Sequence, residues 1–139
     1  MWRDAFARRR CLVPAGAFCE WCREAGGKQP YAVARRDGQP MALAGVWDGW
    51  RGAAGEVVRS FAIIVTVANA TMAPTHDRMP VVLEAENWPG WLGETMGDPA
   101  ALLWPAAPDV LRAWPIGRAV NSARSSGPGL LGPSRAEPG

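Results

Sequence analysis

Residues 61–83 read FAIIVTVANATMAPTHDRMPVVL and decide the fold. The run 57–67 that overlaps their start is almost unbroken in apolar and β-branched residues, which is typical of a strand buried on both faces. It predicts the central strand of a sheet. Pro74 ends one or two predicted helical turns over 68–73, and residues 81–83 predict a further short strand.

Other strand candidates lie on both sides of this run, and an Asp-Gly pair at Asp37 and Gly38 predicts a hairpin. The predicted strands are 11–13, 17–23, 31–35 and 41–47. Short helices are predicted over 2–9, 84–92 and 98–103, and prolines and glycines after Trp104 argue against any long element there. The expected fold class is α+β, a mostly antiparallel sheet curled towards a barrel, with short peripheral helices.

Composition indicates one domain. The chain has 139 residues, a formal net charge of +2 and 48% hydrophobic residues, so it can bury a single core, and its charge is too mild to establish a nucleic-acid partner. Neither a bilayer-spanning apolar stretch nor a secretory signal is recognisable, which predicts a cytoplasmic protein with no membrane partner. Three cysteines, an odd number, fit reduced thiols.

His76 is the only histidine, and therefore the only side chain whose unperturbed pKa lies near neutrality. Pro74 and Pro80 enclose it in a short rigid loop, while Arg78 offers a planar fork suited to phosphate or carboxylate. Asp77 could orient the imidazole or cap a turn. The pattern favours a functional site over a histidine that only satisfies backbone groups.

Glu20 has Phe18, Cys19 and Trp21 as neighbours. If it is buried in that apolar company, desolvation raises its pKa and makes it a proton donor or acceptor near neutral pH. The alternative is an ordinary solvent-facing strand residue. Local sequence leaves both interpretations open.

Cys19 and Cys22 form a Cys-x-x-Cys motif, and with Cys11 and His76 they could supply a zinc site. Side chains alternate along a strand, however, so the two thiols of the motif are expected on opposite faces. Small thiols that fill gaps in the core are the favoured interpretation, and no metal site is predicted.

Eight tryptophans are a high number for this length. Aromatic faces combined with arginines are what single-stranded nucleic-acid binding requires, although most of the eight are expected to fill the core. Trp21 lies beside Glu20, and Trp47 and Trp50 bracket the end of a predicted strand.

Four segments in this order carry a family resemblance: RRRCLVPAGAFCEW (8–21), KQPYAVARRDGQPMALAGVWDGW (28–50), residues 61–83, and AVNSARSSGPGLLGP (119–133). Together they resemble the SOS response-associated peptidase (SRAP) family of abasic-site processing proteins. The paired Phe-x-Glu-Trp and His-Asp-Arg-x-Pro signatures are specific in combination. The resemblance implies a partial SRAP domain over 1–133, followed by a disordered tail over 134–139.

The resemblance implies a DNA-repair function in the SOS response. Family members bind single-stranded DNA at abasic sites and form a covalent thiazolidine cross-link through an N-terminal cysteine, and they are classed as peptidases, hydrolases and lyases. Glu20 then serves proton transfer in ring opening and imine formation, and His76 positions and protonates the sugar oxygen. Trp21, Thr66 and Arg78 match positions at the DNA groove. No cofactor is implied, and a monomer is expected, associated with the nucleoid when bound to DNA.

This chain also departs from the family pattern. Family members begin Met-Cys-Gly-Arg, whereas this sequence begins Met1-Trp2-Arg3, and its segment 2–10 resembles one that lies well inside the family proteins. We therefore expect an incomplete fragment that does not form the cross-link, with unpaired strand edges and exposed apolar surface. The alternatives are a non-catalytic remnant that binds single-stranded DNA and, less favoured, a zinc or thiol protein.

Overall fold

The computed structural model describes residues 2–133, so the predicted tail 134–139 lies outside the described residues. The strands are β1 Arg10–Ala15, β2 Phe18–Glu24, β3 Gly27–Arg35, β4 Met41–Arg51, β5 Val57–Ile63, β6 Val65–Val67, β7 Arg78–Pro80 and β8 Leu111–Pro115. The α-helices are α1 Trp2–Arg8 and α2 Trp88–Leu92, and 3₁₀ helices span Ala85–Asn87, Pro99–Leu102, Arg118–Asn121 and Pro128–Leu131. The α+β class is confirmed.

All strand pairs are antiparallel and form three small sheets, in the orders β1-β4-β5, β2-β3-β8 and β6-β7. The sheets are open, so the barrel-like curl that the sequence predicted does not close. Gly38 adopts a φ of +77° in the turn between β3 and β4, as an Asp-Gly hairpin requires. The strand β8 was missed, because Pro115 and the prolines before it obscure its pattern.

The core lies on both faces of β4, which is the buried central strand. Leu43 on one face packs with Met41, Met72 and Met79 in the first apolar cluster. Ala44, the next residue, faces the second cluster around Trp91. This change of face from one residue to the next is the period of two that a strand covered on both sides needs.

The prediction of a central strand over 57–67 is wrong. The run breaks at Ile64 into β5 and β6, and β5 is an edge strand that pairs only with β4 in its sheet. Four side chains at alternate positions share exposed surface, and we call them the β5–β6 apolar strip: Phe61, Ile63, Val65 and Val67. An apolar, β-branched composition indicates a strand but does not determine what covers its faces. The expected exposed apolar surface therefore lies along this strip.

None of the helices within residues 2–133 has the length and apolar composition needed to span a bilayer.

Candidate functional site

A cavity of about 480 Å³ lies between β2 and the histidine loop, which we define as residues 68–77. Its lining is polar and brings together residues from β2, the start of β3 and the loop: Glu20, Trp21, Arg23, Lys28, Thr75, His76 and Asp77. Two of the sequence-predicted catalytic residues, Glu20 and His76, therefore share one cavity although 56 residues separate them.

Glu20 is placed in this cavity by β2. It pairs with Tyr31 of β3 and is partly buried. Burial raises the pKa of Glu20 above its ordinary value, while the nearby His76 acts weakly in the opposite direction. Of the two interpretations that the sequence left open, partial burial is the observed one. A carboxyl with a raised pKa is a stronger base than a solvated one and suits proton transfer near neutrality.

The histidine loop is held from inside the protein by Asn69, which is 7% exposed and is the one buried polar residue among those described. Its Nδ2 donates to the carbonyl of Ala106 (2.8 Å), and its Oδ1 accepts from the backbone N–H of Met72 (3.0 Å). Met72 is fully buried, and its carbonyl accepts from the backbone N–H of His76 (3.0 Å). A second bond of this i→i−4 kind joins the Ala73 N–H to the Asn69 carbonyl (2.9 Å), so single helical turns are present near the predicted range 68–73 but no regular helix forms.

The imidazole of His76 is partly exposed, with a side-chain exposure of 43%. Its Nδ1 lies 3.1 Å from both the backbone nitrogen and the carbonyl oxygen of Arg78, so it accepts from the N–H in the Nε2–H tautomer and donates to the carbonyl in the Nδ1–H tautomer. When the ring is protonated, Nδ1 can instead donate to the Arg78 carbonyl (3.1 Å) or approach Asp77 Oδ1 (3.4 Å). Nδ1 thus has a partner in either protonation state, and Nε2 remains available to a substrate.

Trp21 lies where two cavities meet. Its indole is 37% exposed and lines both the cavity of Glu20 and a neighbouring one of about 390 Å³ bounded by Lys28, Val120 and Asn121. The indole Nε1 donates to Asn121 Oδ1 at 2.6 Å. An aromatic face in such a position can stack against a base.

Sequence reasoning missed three residues at this site: Arg23, Lys28 and Asn121. Arg23 and Lys28 are directly paired across the β2–β3 hairpin, on the same face as Trp21. The period of two from Trp21 to Arg23 was a usable signal for the first. Nothing local indicated Asn121, because its partner Trp21 is 100 residues away.

Thr66 and Arg78 do not line either cavity beside Trp21. Thr66 pairs with the buried Met79 between β6 and β7 and is half-buried. Arg78 pairs with Val67 and is exposed, so it belongs to the open surface that follows the histidine loop.

The three cysteines are free thiols in three different settings. Cys11 lies on β1 and pairs with Gly45 of β4. Burial raises the pKa of both Cys11 and Cys19. Cys22 contacts the histidine loop, with its Sγ 3.5 Å from the Pro74 carbonyl oxygen. Within residues 2–133, no group of three or more histidine, cysteine or acidic side chains is arranged to hold a metal ion.

Comparison with known proteins gives the family. The model of the family described as SOS response associated peptidase (SRAP) matches residues 1–123. The chain belongs to this family.

Similar proteins include the abasic site processing protein YoqW of Bacillus subtilis, 33% identical over 133 residues, which cover 93% of this chain and 59% of that protein. YedK of Escherichia coli, also named an abasic site processing protein, is 28% identical over 96% of this chain and 61% of its own length. A crystal structure of a Bacteroides thetaiotaomicron protein superposes with a TM-score of 0.86 at 26% identity, covering 96% of this chain and 60% of that one. The chain thus spans about 60% of the length of these relatives.

Proposed function

We propose that this chain binds single-stranded DNA at abasic sites and carries out the proton transfers that open the abasic sugar to its aldehyde. The observation that carries the proposal is the shared cavity of Glu20 and His76, with the indole of Trp21 at its border. The names of the abasic site processing relatives and the family membership support the choice of substrate. We further propose that the chain acts as a monomer in the cytoplasm and on the nucleoid.

Ring opening needs a base and an acid at the same time. An abasic deoxyribose is mostly a cyclic hemiacetal, in which the C1′ hydroxyl must lose a proton while the ring oxygen O4′ gains one. The C1′–O4′ bond then breaks and the C1′ carbonyl forms. In our proposal, the Glu20 carboxylate takes the hydroxyl proton, and His76 in its imidazolium form gives the Nε2 proton to O4′ and is left as the neutral ring. Two groups in one cavity can thus act on both ends of the bond that breaks.

The aldehyde so formed is the group that the family cross-links through an N-terminal cysteine. The protonated Glu20 can return its proton during imine formation, when the hemiaminal hydroxyl must leave as water. These steps need no cofactor. The residues described here are proposed to bind the DNA, open the sugar ring and return this proton. The family's thiazolidine, lyase and peptidase activities are further expectations for a whole SRAP protein.

For DNA binding, we propose that Trp21 stacks on a base next to the abasic site and that Arg78 contacts a phosphate from its exposed position after the histidine loop. Thr66 is proposed as a weaker contact in the middle of β6. Arg23 and Lys28 add positive charge to the border of the cavity, which favours the nearby phosphates.

The proposal is tested with a single-stranded oligonucleotide that carries one natural abasic site. Methoxyamine captures only the open aldehyde, so its rate of capture reports ring opening, measured at a protein concentration that saturates the DNA. We expect the chain to accelerate capture and both Glu20→Gln and His76→Gln to abolish most of the acceleration. Glu24→Gln is the matched control, because Glu24 lies on the same strand but is exposed and outside the cavity.

Acceleration that survives both substitutions would refute the assigned roles. Binding without any acceleration would instead support the non-catalytic alternative. No binding to the abasic oligonucleotide, even at low salt, would refute the proposed function altogether.

A further inference from the structure

We propose that Asn121 is a positioning residue that fixes the orientation of the Trp21 indole at the DNA-binding surface. This inference rests on the proposed function, since it assigns a role to the part of the site where a base would stack. Asn121 ends the 3₁₀ helix Arg118–Asn121, far from Trp21 in sequence, and neither the family motifs nor the comparisons assign it a role in binding.

Asn121 uses both ends of its amide. Its Oδ1 accepts from Trp21 Nε1 at 2.6 Å, and its Nδ2 donates to the Lys28 carbonyl at 3.3 Å. One side chain therefore connects β2 to β3 at the hairpin that carries Trp21. The bond from Trp21 Nε1 restrains the indole, and the bond to the Lys28 carbonyl restrains the Asn121 amide that accepts the first bond.

The same 3₁₀ helix contacts the hairpin a second time. Arg118 Nη1 donates to the Gly26 carbonyl at 2.5 Å, next to Gly27, whose φ of +108° makes the tight turn. Contacts at the tip and at Lys28 stop the hairpin from pivoting against the helix. The backbone around Asn121 is therefore held against the hairpin that carries the indole.

The position of the bond on the indole explains how it could serve binding. Nε1 is on the edge of the ring system, so a hydrogen bond there restricts rotation of the side chain without covering either aromatic face. If the indole is already oriented, a base can stack on its face directly. If it is not, part of the binding free energy is lost in ordering the side chain. A partly exposed tryptophan held at its edge meets this condition.

A double-mutant cycle tests the assignment. Binding of an oligonucleotide with a tetrahydrofuran abasic analogue is measured by fluorescence anisotropy, with Trp21→Phe, Asn121→Ala and the double variant. Phenylalanine can still stack but has no N–H, so it cannot use Asn121. We expect Asn121→Ala to weaken binding by about threefold to tenfold in the wild-type background and by less than about twofold in the Trp21→Phe background. The dependence of affinity on salt should not change, because no phosphate contact is removed.

Fluorine NMR on protein labelled with 5-fluorotryptophan gives a readout without DNA. Trp21→Phe identifies the Trp21 resonance by its disappearance. Asn121→Ala should shift and broaden that resonance, while Asn121→Asp, which keeps an acceptor oxygen for Nε1 but loses the bond to the Lys28 carbonyl, should shift it less than Asn121→Ala does. Asn87→Ala is the matched control, because the Asn87 side chain makes no capping hydrogen bond.

The outcomes separate the two claims. If Trp21→Ala weakens binding but Asn121→Ala leaves both affinity and the Trp21 resonance unchanged, the positioning role is refuted and the proposed function stands. An equal effect of Asn121→Ala in both backgrounds also refutes it. If the wild-type chain does not bind the oligonucleotide, the proposed function fails, and the role assigned to Asn121 fails with it.

Discussion

The buried amide of Asn69 gives the sharpest stability prediction, because it bonds the histidine loop to the Ala106 carbonyl and to the Met72 N–H. Asn69→Ala removes the donor to the Ala106 carbonyl and one of two acceptors of the Met72 N–H. The Met72 N–H keeps a second acceptor, the Asn69 backbone carbonyl at 3.1 Å. Only the Ala106 carbonyl is therefore left without its partner, at a cost of about 1–3 kcal/mol. With the small loss at Met72, we expect the free energy of unfolding to fall by about 2 kcal/mol.

Urea unfolding followed by tryptophan fluorescence measures this loss. An unchanged m-value would show that the surface area exposed on unfolding is the same in the variant and in wild type. Thr71→Ala is the control from the same loop, because its hydroxyl also bonds across to a carbonyl, that of Pro108, but from a more exposed position. We expect it to cost about 0.5 kcal/mol. Asn69→Ala should also speed tryptic cleavage after Arg78 at low urea, as the loop opens locally. A loss no larger than that of Thr71→Ala would refute the anchoring role of Asn69.

Three further predictions concern charge and the exposed edge. Burial raises the pKa of Glu20 in the folded state, so the contribution of Glu20 to stability declines as pH rises through that pKa. The Glu20→Gln variant should therefore have a higher free energy of unfolding than wild type at pH 8 but not at pH 4. The Arg35 guanidinium lowers the pKa of Asp37 to about 2, so Asp37 stabilises the fold above its ordinary pKa and this contribution is lost as pH falls towards 2. Acid titrations of Asp37→Asn should show a flatter decline than wild type, and an identical decline would contradict the pairing. Phe61→Ser, at a side chain 61% exposed, should reduce concentration-dependent light scattering and change the unfolding free energy by less than about 0.5 kcal/mol.

The sequence predicted well where the signal is local. The Asp-Gly turn and the first helix have residue types that require or favour their conformation, and both are present. The order of the family motifs correctly indicated the family. The strand β5 shows the limit of such signals, because composition predicted a strand but placed it wrongly at the centre.

The amino-acid sequence by itself determined the chemical groups that are present: one imidazole, a carboxyl in apolar company, and an indole beside it. Only the tertiary structure decided that Glu20 and His76 share a cavity and that Asn121 reaches Trp21. The physical reason is range. Hydrogen bonds and desolvation act over a few ångströms, and the atoms within that distance are brought together by strand pairing and loop packing between residues far apart in the chain.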